Sequence, residues 1–213
     1  MIQRLITAGV LLTALALPAA AQQRPSAEVQ RLGEFIRSPE HLAQTGAAIA
    51  AFEPAALAAR CADIRPTRGR AWQPLEEPVF DPEAKAPKTA EWQETWEVMA
   101  CGQPGVRSVG FVIRPGHGIV PLPMFPGESL ANRRLQHDAG QLALTTSAPA
   151  ALQCNSRVQV IGSVVTNRAD HARGRWSERW TVAGCERTAD IDVDFAPDAQ
   201  GKPSYQFRNS GRR

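Results

Sequence analysis

The stretches Trp92–Cys101 and Trp176–Cys185 carry one pattern, W-x-E-x-W-x-V-x-x-C, written twice in the chain. Trp92 matches Trp176, Glu94 matches Glu178, Trp96 matches Trp180, Val98 matches Val182 and Cys101 matches Cys185, always 84 residues apart. The same offset relates Val109 to Val193 and Phe111 to Phe195. Four of the five tryptophans lie in these two stretches, which makes chance a poor explanation. Upstream, PAALAARC ending at Cys61 resembles PAALQC ending at Cys154. A chain with such an internal duplication is expected to fold as two like units.

The duplication also orders the cysteines. Four cysteines allow three pairings, but each unit owns two of them, which selects Cys61–Cys101 and Cys154–Cys185. The segment SRVQVIGSVVT, from Ser156 to Thr166, is rich in β-branched residues and reads as a strand. NRADHARG then reads as a turn and RWSERWTVAGC as the returning strand. Folding that hairpin about residues 169 and 170 sets Cys154 opposite Cys185. In the first unit the matching hairpin carries a longer tip, EEPVFDPEAKAPKTA, whose prolines and mixed charge suggest an exposed excursion.

Further strands are expected at VRSVGFVIR, IVPL, DIDVDF and YQF, giving each unit a meander of about four strands. Helices are expected before each meander. Ser26 caps a stripe of Val29, Leu32, Phe35 and Ile36; Ser38 followed by Pro39 starts a second helix; and Pro54 starts a third. Before the second unit, ESLANRRLQHDAGQLAL is a weaker helix, with Gly140 inside it. The fold class is therefore α+β: two tandem repeats, each with N-terminal helices followed by a disulfide-bridged antiparallel β-meander. The proline-rich join VPLPMFPGES places the first unit at 22–126 and the second at 127–213.

Residues 1–21 read as an export signal: Arg4, the apolar run LITAGVLLTALALPAA, and small residues at Ala19 to Ala21. No cysteine stands at the expected cut after Ala21, and no second apolar run is long enough to span a bilayer. The mature chain is expected to be periplasmic or secreted, with no transmembrane segment. An even cysteine count suits that oxidising setting. Loss of Arg4 with the signal lowers the formal charge from +3 to +2, a balance that gives no case for nucleic acid as a partner. The basic tail RNSGRR reads as a frayed end.

The repeated motif is the candidate site. Alternate residues of a strand share a face, so Trp92, Glu94 and Trp96 form one stripe and Trp176, Glu178 and Trp180 another. Two readings follow. In one, the indoles are core and each glutamate is held by a partner: a Trp ring N–H, a helix N-terminus, or an arginine such as Arg157. In the other, the six residues bind a ligand, because sugar rings stack on indoles and hydrogen-bond to acids. A pair of carboxylates within about 5–10 Å also suits glycan hydrolysis. His41, His117, His137 and His171 are scattered, and H-E-x-x-H, P-loop and G-x-G-x-x-G patterns are lacking, so no metal or cofactor is expected. Ser129 lacks a nucleophile-elbow setting and reads as a helix cap.

WQETWEVMACG and WSERWTVAGCE resemble a motif of uncharacterised exported proteobacterial proteins, roughly W-x-E-x-W-x-V-x-x-C-G. The resemblance covers about a dozen residues per unit, and Glu186 stands where the second copy would have glycine. It implies export and a disulfide-stapled β unit, and no catalytic residue. The expected function is thus a non-enzymatic exported protein that binds or supports an envelope component, a protein or a glycan. The alternatives are a cell-wall-active enzyme using Glu94 and Glu178, or an inhibitor or chaperone-like partner of another exported protein.

Overall fold

The computed structural model describes residues 25–59, 61–154 and 157–212. The signal expected over 1–21 lies outside the described residues. Among the described residues, no helix is long and apolar enough to cross a membrane.

The first unit begins with α1 (Ala27–Ile36), α2 (Pro39–Ala51) and the short α3 (Ala55–Ala58). The expected caps form: Ser26 Oγ accepts from the Val29 N–H at 3.1 Å, and Ser38 Oγ accepts from the His41 N–H at 3.3 Å. A four-stranded antiparallel meander follows, β1 (Ile64–Pro74), β2 (Ala90–Ala100), β3 (Gln103–Arg114) and β4 (Gly118–Pro123), in that spatial order. Leu32, Ile36 and Ile49 of the helices pack on Trp92, Val98, Val109 and Phe111 of the sheet.

The second unit repeats this plan. α4 (Arg133–Leu142) passes through a π-type turn, Ala143–Ser147, into α5 (Ala148–Leu152). The meander is β5 (Gln159–Asn167), β6 (Trp176–Gly184), β7 (Arg187–Pro197) and β8 (Pro203–Arg212). The two sheets stay separate, each with its own hydrophobic cluster.

Both expected disulfides are present. Cys61–Cys101 and Cys154–Cys185 have Cα separations of 5.8 and 6.1 Å. Cys101 and Cys185 lie outside the strands, in two-residue hairpin turns with positive φ at both positions: 46° and 78° at Cys101 and Gly102, 48° and 59° at Cys185 and Glu186. This is the φ pattern of a type I′ turn, whose twist matches that of the flanking strands.

Three details differ from the sequence reading. The β5–β6 register centres further along the chain, with Gln159 opposite Ala183, because two bulges shift it and residues 168–175 make a longer turn. The proline-rich excursion folds back on α1: Phe80 is buried and lies 4.3 Å from the Arg31 guanidinium, which also donates to the carbonyls of Asp81, Pro82 and Ala84. The basic tail is strand, with Asn209 and Arg212 opposite Ile191 and Ala189 of β7.

The units are joined on the outer face of the first sheet. Glu91, on β2 but facing away from its own core, accepts from Arg133 at 3.1 Å and from Arg134 at the start of α4. The Arg133 N–H donates to Gln93 Oε1 at 3.0 Å. The hydrogen bond from Arg134 holds the Glu91 carboxyl below its usual range; burial opposes this and Arg133 adds to it.

Candidate functional site

The stripe geometry explains the W-x-E-x-W spacing. Residues two positions either side of a strand residue share its face, so both indoles flank the same carboxylate. Trp92 donates its ring N–H to Glu94 Oε1 at 2.7 Å, and Trp96 donates to Oε2 at 2.9 Å. Trp176 and Trp180 do the same to Glu178 Oε1 and Oε2, each at 2.9 Å. The opposing strand repeats as well: Trp92 faces Phe111 and stacks on it at 5.2 Å, and Trp176 faces Phe195 and stacks at 4.6 Å.

The two carboxylates are almost wholly buried, Glu94 at 1% and Glu178 at 0% exposure. Such burial is costly unless donors saturate the charge, and each unit completes the set differently. At Glu94, His41 Nε2 lies 2.5 Å from Oε1, and the Thr45 hydroxyl donates to Oε2 at 3.4 Å. Both come from α2. His41 Nδ1 is buried with no hydrogen-bond partner. At Glu178, the Ser129 hydroxyl lies 2.8 Å from both oxygens, and the Leu130 and Ala131 N–H groups donate to Oε1 at 2.8 and 3.2 Å. These come from the chain just before α4. Ser129 thus serves the carboxylate, while Asn132 caps α4.

No family model, curated protein or solved structure matches this chain.

Each motif gathers its own three residues, and every partner of either glutamate named above lies in that glutamate's own unit. Arg157, weighed from sequence as a partner, is not among the donors. Trp92 and Trp180 are buried, whereas Trp96 and Trp176 are only partly so. His41, Thr45, Leu130 and Ala131 were not signalled by the sequence: nothing local distinguishes a histidine that caps a carboxylate 53 residues away. Among the described residues, no three or more His, Cys, Asp and Glu side chains gather as metal ligands.

The partly buried indole of the first unit opens a surface feature. A cleft of about 310 Å³ runs between the α1–α2 corner and the free edge of β1, lined by Leu42, Arg37, Arg70, Trp72 and Trp96, with Glu94 behind. A second cleft of about 540 Å³ lies between the units, where Trp72, Gln93 and Thr95 face Glu128, Ser129 and His171.

Proposed function

We propose that this chain is an exported bacterial protein of non-enzymatic type that binds or supports a component of the cell envelope. The observation that carries this reading is the saturation of both motif carboxylates. General acid–base or nucleophilic work requires an oxygen that reaches substrate. Glu94 instead spends its oxygens on two indoles, His41 and the Thr45 hydroxyl, and Glu178 on two indoles, the Ser129 hydroxyl and two backbone N–H groups, inside separate cores. The motif then acts as an internal brace, and ligand contact falls to the surface around it. The candidate signal and the two disulfides support an oxidising compartment.

The test is crosslinking in intact cells, followed by purification of the full chain from the envelope under non-reducing conditions. A reproducible adduct with one envelope component is the expected result. Repeated recovery of the uncrosslinked chain alone would count against it, and hydrolysis of cell-wall glycan lost in Glu94→Gln would replace it with the enzyme reading.

A further inference from the structure

The two units differ at one equivalent place, and the difference indicates what the first unit takes up. In the second unit, Ser163 of β5 stands opposite Trp180. The outer edge of β5 there is covered by the chain's own linker. Gly127 forms a parallel bridge with Ser163, the Glu128 N–H donates to the Ser163 carbonyl at 2.9 Å, and Ser163 Oγ donates to the Pro126 carbonyl at 2.9 Å. Phe125 sets its ring edge-on to Trp180 at 5.0 Å. Gly127 has φ of 100°, and a Cβ on it would sit 2.1 Å from the Ser163 oxygen, so glycine is required for this approach. Beyond it, Glu128 pairs with Arg168 at 3.1 Å. The linker is thus a short extended segment read by edge hydrogen bonds, an aromatic anchor and an acid.

In the first unit, Gly69 of β1 stands opposite Trp96, the equivalent of Trp180. Among the described residues, no segment hydrogen-bonds to the backbone of Gly69, Arg70 or Ala71 from outside the sheet. Register shifts between Pro66 and Arg68 and between Gly69 and Ala71 mark bulges on either side of Gly69. The cleft takes the place of the linker: the half-buried Trp96 and Trp72 line it, and Leu42 is 40% exposed at its rim. Arg37 and Arg68 have no ion pair among the described residues, and Arg70 reaches only Glu128, at 3.8 Å.

We propose that the β1 cleft docks an extended acidic peptide segment of a partner protein, with its backbone on the Gly69–Ala71 edge and a bulky apolar side chain against Trp96 and Leu42. The segment adds to the edge as the linker adds to β5, a recognised mode of peptide capture. Its acid meets Arg37 and Arg70 as Glu128 meets Arg168. This rests on the binding reading above and names the class of partner: a protein segment rather than a glycan.

The linker itself supplies the probe. A fluorescent peptide of sequence PMFPGESLA, residues 123–131, is titrated into the full-length oxidised protein and followed by polarisation. The expected result is saturable binding at one site per chain below ~1 mM, weakened at least tenfold in the Arg37→Glu, Arg70→Glu double variant and several-fold when the peptide's glutamate is glutamine. Both arginines are solvent-facing, and circular dichroism confirms that the variant is folded. Leu42→Asp gives an independent loss from the apolar side. No saturable binding, or binding indifferent to these changes, overturns the proposal. Self-association that the double variant abolishes would overturn it in favour of a second copy. A glycan that occupies the cleft while the peptide does not would overturn it and leave the envelope-binding reading standing.

Discussion

The two copies of the motif hold the same carboxylate with the same two indoles, yet they bury opposite ends of the stripe. In the first unit Trp92 is buried under Phe35, His41 and Phe111, while Trp96 borders a cleft. In the second, Trp180 is buried under Phe125, and Trp176 is half-buried with His171 edge-on to it at 5.4 Å. The duplicated part is therefore the brace itself, two ring N–H donors fixed by strand periodicity. The remaining donors are supplied by whatever segment covers the stripe: helix α2 in one unit, the linker in the other. An element that carries its own donors tolerates a change of cover.

The largest expected effects test the crossed burial. Trp92→Ala and Trp180→Ala should each lose about 3–5 kcal/mol, with Trp96→Ala and Trp176→Ala losing roughly half as much. Urea unfolding of the four variants measures this. Losses that follow motif position rather than burial would break the comparison.

The next effect separates the two sets of donors. A glutamine at 178 can keep its carbonyl for the Leu130, Ala131 and Trp176 N–H groups. Its amide must then face Ser129, whose hydroxyl can turn to accept, and Trp180, whose ring N–H cannot, so Glu178→Gln should lose about 2–3 kcal/mol. At 94, His41 can change tautomer, since its buried Nδ1 has no partner to lose, and the Thr45 hydroxyl can turn to accept. Glu94→Gln should therefore lose only about 1–2 kcal/mol. Equal losses would say that the helical cover is no more adaptable than the linker.

What the sequence disclosed and what it withheld divide along the same line. The shared face of Trp92 and Glu94 and the disulfide pairs follow from alternation and from the duplication, which are local or internal regularities. His41, Thr45 and Ser129 act across tens of residues, and a lone histidine in a helix or a serine before one carries no trace of its tertiary partner. The burial of Phe80 within the excursion is hidden for the same reason. Proline and charge mark its neighbours as loop, but only α1 decides that the loop lies down. The tail reads as frayed from its place at the chain's end, whereas β7 offers it a free edge.

A smaller effect concerns the joint between the units. The folded Glu91 carboxyl lies below its unfolded value because Arg134 and Arg133 bind its charged form. A depressed acid contributes stability that is complete above the unfolded value, near 4.5, and is lost as pH falls through the folded one. Wild-type stability should thus fall more steeply than that of Glu91→Gln as the pH drops below about 4.5. Thermal melts across that range check it. Parallel curves would mean that the joint does not depend on this charge.

The smallest effect lies in the hairpin turns, where the copies differ by one residue. Both turns require positive φ at two positions. The first meets the second position with Gly102 at 78°, and the second meets it with Glu186 at 59°. A side chain in the left-handed region costs about 1–2 kcal/mol, and the extra freedom that glycine loses on folding offsets part of that. Glu186→Gly should therefore stabilise the chain by about 0.5–1 kcal/mol, and Gly102→Glu should destabilise it by a similar amount. The urea midpoints of the two variants give the comparison directly, provided the adjoining Cys101 and Cys185 remain paired. Each of those half-cystines already holds positive φ, so the disulfides clamp the turns from one side. If Glu186→Gly gains nothing while Gly102→Glu loses, the second turn has adapted to its glutamate, and the departure from glycine in the second motif is no longer a strained one.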